Sequence, residues 1–187
     1  SDLIFRSFTI PAMRPHEVKN VVDFEITKYI PIKPQDIVFR YQAIPFKEKG
    51  QKSLRIYLIA IRKDVLKRYK AMMEMANLQV ENIEPAPVSV LRILKSKKFI
   101  PGNQSTAIIE VGDEGGDIVI CNNEVVQFVR EFPISPNEMT DVDLLISKIV
   151  NDIRVAFNFY NRQNPTDQIQ HILIFSLHPL RNIEKAM

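Results

Sequence analysis

The chain has 187 residues, 45% of them hydrophobic and 25% charged, with a single cysteine and a formal charge of +3. That balance describes a globular protein with enough chain for one substantial core or two small ones. No stretch approaches the ~20 consecutive apolar residues of a membrane-spanning helix, no charged-then-apolar leader opens the sequence, and the lone Cys121 fits a reducing compartment.

The chain begins with Ser1 and a strand-like LIFRSFTI, which reads as a fragment of a longer protein or a processed chain. From Pro15 to Ile30, Val18, Val22, Ile26 and Tyr29 recur at helical spacing, with Pro15 suited to a first turn and Pro31 ending the helix. Alternation in DIVFRYQAI predicts a strand, and the polar loop around Lys47-Glu48-Lys49-Gly50 joins it to a second, SLRIYLIAI, as a hairpin. A helix over Lys63–Asn77 is expected to bury Val65, Leu66, Tyr69, Met72, Met73 and Ala76, with its methionines as core filler. LQVENIEP then reads as a strand closing the unit. Pro85 and Pro87 introduce a helix near Val88–Leu94, and its basic end with Pro101-Gly102-Asn103 reads as a hinge. Two units are implied: an α+β unit over 1–100 and a second over 104–187.

In the second, Ile108–Val111 runs into Gly112-Asp113-Glu114-Gly115-Gly116, and strands Asp117–Cys121 and Glu124–Phe132 come next, joined by an Asn122-Asn123 turn. Thr140–Tyr160 is the strongest helix, with Val142, Leu145, Ile146, Ile149, Ile153, Phe157 and Tyr160 on one stripe, Thr140 as cap, and Asp141 and Asp143 at the positive end of its dipole. HILIF reads as a short strand suited to the interior of a sheet. The order β-β-β-α-β implies a mixed sheet with a crossover helix.

Charge divides with the units. Residues 1–100 hold nineteen Lys/Arg against ten Asp/Glu, hence +9, and residues 101–187 hold six against twelve, hence −6. Such asymmetry draws the halves together, or brings an acidic partner or an anionic membrane surface to the first. The basic residues are scattered, with no RNA-binding aromatic signature or zinc-finger spacing, so nucleic acid is not expected as a partner.

Glycines at a strand-to-strand turn let backbone N–H groups approach an anion. Glu110, Gly112, Asp113, Glu114, Gly115 and Gly116 are therefore the candidate phosphate-binding residues, set against the plain alternative of an ordinary turn. The Asp113-Glu114 pair can also hold Mg²⁺ through water. His16, His171 and His178 lack metal-ligand spacing, and no Walker or nucleophile-elbow motif is present. No catalytic residue is assigned.

Three stretches together resemble the PilM family of type IV pilus assembly proteins, actin-like and related to FtsA. They are FTIPAMRPHEVKNVVDFEITKYIPIKPQDIVFRYQAI, RIYLIAIRKDVLKRYKAMMEMANLQVENIEP, and the hairpin unit ending in Arg130-Glu131-Phe132-Pro133, with FNFYNRQ similar to the family's long-helix ending. The resemblance implies an FtsA-like small α+β subdomain followed by a truncated actin-like, ribonuclease H-like sheet. It also implies a cytoplasmic bacterial scaffold of pilus or related secretion assembly, held at the inner membrane by the cytoplasmic peptide of a PilN-type partner. The family's first phosphate loop is not in this chain, Glu110 stands where the family has Asp, and Asp113-Glu114-Gly115-Gly116 replace small and hydroxyl residues. No cofactor is assigned to this chain: ATP with Mg²⁺ is left open for the intact protein, where Glu110 would position the metal or water in the alternative reading of an actin-like ATPase, and turnover by this chain is not expected. Self-association, as in other actin homologues, is a further reading. The terminus Arg181–Met187 is too short for an FtsA-type membrane tail.

Overall fold

The computed structural model describes residues 2–48, 50–102, 104–122 and 125–176. Asn123, Asn103, Lys49, His178 and the Arg181–Met187 terminus, named above, lie outside the described residues. Packing divides the chain into two units at Pro85/Ala86.

In the first unit, strands β1 (Leu3–Pro11), β2 (Ile37–Glu48) and β3 (Gln51–Arg62) form an antiparallel sheet in the order β1-β3-β2. Helix α1 (Pro15–Tyr29) seats Val18, Val22 and Ile26 against Phe8, Ile10, Ile56, Leu58 and Ala60, so the apolar positions at helical spacing meet the alternating positions of the strands. Glu17 accepts the Arg14 backbone N–H at 3.0 Å at the start of α1, and Ile30, extended before Pro31, ends it. Tyr29 lies 38% exposed at the rim and stacks on Phe8 with centroids 4.5 Å apart.

Helix α2 (Lys63–Met75) departs from expectation, because only Val65 is buried. Every residue from 67 to 79 is exposed, so the methionines are surface rather than core. Residues 78–85 form no strand either. Leu78 and Ile83 are exposed and Pro85 lacks the N–H that a ladder needs, so the segment has neither the burial nor the pairing of a strand.

The second unit begins with α3 (Ala86–Ser96), which the sequence places on the far side of a boundary near residue 100. Its buried Leu91 and Leu94 and its packing against the third strand of the hairpin unit group it with the second sheet. Strands β4 (Ser105–Val111), β5 (Gly115–Asn122), β6 (Val125–Pro133) and β7 (Ile169–Ser176) lie in the order β6-β5-β4-β7, and β7 is parallel to β4. Ile109, Val111, Ile118 and Phe132 on one face pack against Leu145, Ile149, Ile153 and Ala156 of the crossover helix α5 (Val142–Gln163).

Three details correct the reading of this half. A short helix, α4 (Pro136–Thr140), precedes α5 and is capped by Ser135 and Glu138. The cap of α5 is therefore Asp141, whose Oδ1 accepts from the Asp143 and Leu144 amides at 3.0 and 3.1 Å, while the Thr140 hydroxyl donates to the Asn137 carbonyl at 2.9 Å. Val142, expected on the buried stripe, is 52% exposed. Strand β7 is an edge rather than an interior strand among the described residues, with Ile172 and Phe175 exposed.

Candidate functional site

The turn between β4 and β5 is closed by the Gly112 N–H donating to the Gly115 carbonyl at 2.8 Å, while the Glu114 carbonyl accepts from the Ile134 N–H at 3.0 Å. One amide that an anion would need is thus already used. The glycines differ in what they require. A Cβ on Gly116 would stand 2.1 Å from the Glu110 carbonyl oxygen and 2.5 Å from the Phe132 ring, and one on Gly115 would stand 2.5 Å from the Phe132 carbonyl oxygen. Those two glycines are demanded by packing whatever else the turn does. At Gly112 the nearest atom to such a Cβ is 3.4 Å away.

An open cleft of ≈ 560 Å³ beside the turn is lined by Glu110, Gly112, Glu114, Gly115, Gly116, Asp117, Glu131, Phe132 and Pro133. All the candidate residues except Asp113 line it. Four residues that the sequence does not mark as site candidates join them, two of which, Asp117 and Glu131, are carboxylates. Glu110 pairs across the ladder with Asp117, and Asp117 pairs with Glu131, which sets three carboxylates in a row across three strands. Like charges directly opposite oppose pairing. Burial first, then Glu131 and Glu110, push the Asp117 carboxyl above its ordinary value. Among the described residues no three His, Cys, Asp or Glu side chains are grouped to hold a metal ion.

Behind the turn, Lys148 of α5 lies over the Phe132 ring at 5.8 Å and donates to the buried Asp152, which Arg130 approaches at 3.5 Å. The ring that fills the space beside Gly116 is thereby tied to the crossover helix.

The raised pKa has a sign for stability. The folded state holds the Asp117 proton more tightly than the unfolded state, so this group's contribution falls as pH rises above the ordinary carboxyl value and levels off above its raised folded value. Asp117→Asn removes that loss and one of the three negative charges. It is expected to stabilise the second unit by roughly 0.5–1 kcal/mol at neutral pH, with the gain shrinking toward acid pH, where Asp117 is protonated in the parent too. Urea unfolding at neutral and acidic pH reads both effects, and a destabilised neutral-pH variant would contradict the repulsion.

An antiparallel three-strand meander whose first strand pairs in parallel with a fourth, reached through a long helix, defines the ribonuclease H-like sheet of actin-like proteins. Preceded by the small α+β unit, it has the fold of PilM-like proteins. The PilM-PilN type IV pilus biogenesis complex matches with a TM-score of 0.67 at 16% identity, over 99% of this chain and 62% of that chain. Cyto-EpsL, the cytoplasmic domain of an inner membrane component of the Vibrio cholerae type II secretion system, matches with a TM-score of 0.55 at 13% identity, over 95% of this chain and 59% of that one. The chain thus spans about three fifths of the length of these structures, and what it shares with them is the fold. No protein-family model and no curated protein matches the sequence.

Proposed function

We propose that this chain is part of a cytoplasmic scaffold of type IV pilus or related secretion assembly, which binds the cytoplasmic peptide of an inner-membrane PilN-type partner and sits at the inner membrane through it. The observation that carries this reading is the likeness to the PilM-PilN complex over 99% of the chain. The candidate phosphate turn supports a scaffold rather than an enzyme. Its Gly112 amide is spent on Gly115 and its cleft wall carries Glu110, Asp117 and Glu131, a surface that repels phosphate.

The test is titration of a fluorescent peptide, taken from the cytoplasmic N-terminus of the PilN-type protein encoded beside this chain, into the folded chain and into the longer protein. Saturable binding is expected, and its absence with both would sink the scaffold reading. The competing reading, an actin-like ATP-binding protein in which Glu110 positions Mg²⁺, requires MgATP to raise the melting temperature. No such shift is expected for this chain.

A further inference from the structure

We propose that helix α2 is a docking element for an anionic lipid surface, a property independent of the peptide-binding reading above. The first turn of α2 is anchored by Val65, and beyond it residues 67–79 are exposed on every side. A helix of 13 residues held by one turn is marginal in water on its own. Its large apolar side chains face solvent: Tyr69 is 50% exposed, Met72 60%, Met73 39% and Met75 86%.

The distribution of charge points to the occupant. Leu66, Tyr69, Met73 and Ala76 follow helical spacing along one side, with Met72 beside them, while Lys63, Lys67, Lys70 and Glu74 follow the same spacing along an adjoining side, about 110° round the helix. At about 100° per residue, Arg68 falls about 40° from Met72 on one flank and Lys70 about 40° from Leu66 on the other. Asp64 is held by Arg62 at 2.8 Å, so the carboxylate of the first turn is already neutralised. The apolar side is therefore bordered by cations on both flanks. A protein groove would cover the apolar side and leave the lysines in water. An anionic bilayer uses both, because flanking Lys and Arg reach the headgroups while the Tyr69 and methionine side enters the boundary layer.

The experiment is flotation of the full chain with phosphatidylglycerol-containing vesicles and with pure phosphatidylcholine vesicles. Binding is expected to the anionic vesicles alone and is expected to weaken as salt is raised. Arg68→Ala and Lys70→Ala should each weaken partition about fivefold, and Met72→Ser with Met73→Ser about tenfold or more. These positions are exposed, so the variants should keep the parent's circular dichroism and melting temperature. The PilN-type peptide should bind all of them as it binds the parent, which separates this inference from the proposed function. No flotation of the parent with anionic vesicles, or flotation indifferent to the methionine pair, overturns the proposal. The first of these outcomes would leave α2 to a protein partner.

Discussion

Gly116→Ala is expected to cost the second unit about 3 kcal/mol, although it adds one methyl group at the mouth of an open cleft. The new Cβ would stand 2.1 Å from the Glu110 carbonyl oxygen, a backbone atom fixed in the β4–β5 ladder, and 2.5 Å from the Phe132 ring. The carbonyl cannot move without parting the ladder. The ring cannot move freely either, since it belongs to the core beneath α5 and lies under Lys148. Overpacking at sites that cannot relax costs about 1–3 kcal/mol and sometimes more. Gly112→Ala should cost under ~1 kcal/mol, because its nearest neighbour is 3.4 Å from the added atom, and Gly102→Ala, with nothing within 4 Å, should lie within about 0.5 kcal/mol of the parent. Urea unfolding of the three variants gives the order. The first unit, Ser1–Pro85, serves as internal reference. A Gly116→Ala protein within about 1 kcal/mol of the parent would mean that the turn is looser than its packing indicates, and the phosphate reading of these glycines would regain force.

The same turn shows what the sequence makes legible and what it hides. A three-residue turn after Val111 sets Glu110 opposite Asp117, a pairing that counting outward from the glycines predicts. The next pairing cannot be counted. The register at the far end of β5 and β6 pairs Asn122 with Val125 and Cys121 with Val126, and carried through unbroken it would set Asp117 opposite Arg130. A bulge shifts it by one residue, with Gln127 as the extra residue, so that Asp117 meets Glu131 and Arg130 turns to Asp152 of α5. One inserted residue converts an expected ion pair into the acidic row, because a shift of one exchanges the faces. Gln127 itself is met by the Tyr160 hydroxyl, so the bulge has a partner on α5 that no local pattern announces.

Periodicity is enough for α1 and α5, where apolar spacing and burial agree at every named position but Tyr29 and Val142 at the ends and Phe157, which is partly buried. It misleads at α2, whose stripe is as regular as that of α1 but is exposed from residue 67 onward. Amphipathicity states that a face wants cover and does not state whether the cover belongs to the same chain. At β7 the apolar HILIF run fitted either an interior or an edge strand, and composition alone has no means of telling them apart.

Asp167→Ala should be the other strongly damaging substitution, again at about 3 kcal/mol, at a residue on a surface loop between α5 and β7. Its carboxylate collects donors from three elements. The buried Ser105 hydroxyl at the start of β4 donates to Oδ1, the Asn122 amide at the end of β5 donates to both oxygens at 3.2 Å, and the buried Tyr160 hydroxyl of α5 donates to Oδ2 at 2.7 Å. Ser105 and Tyr160 are each 1% exposed, so water cannot readily replace the lost acceptor. An orphaned buried donor costs about 1–3 kcal/mol, and the Ser105 hydroxyl is the one left without an acceptor, with partial rescue where the Asn122 amide also reaches the Ser105 oxygen at 2.9 Å and where the Gln127 side-chain oxygen accepts the Tyr160 hydroxyl. The graded series is informative. Asp167→Asn keeps one acceptor but sets an amide against the Asn122 amide, and should cost about half as much. Tyr160→Phe removes a single donor while the acceptor keeps its other two, and should cost about 1 kcal/mol. Denaturant unfolding of the second unit measures all three. Equal losses for Asp167→Ala and Tyr160→Phe would place the energy in the tyrosine alone, whereas the graded order places it in the carboxylate that ties the ends of β4, β5 and α5 together.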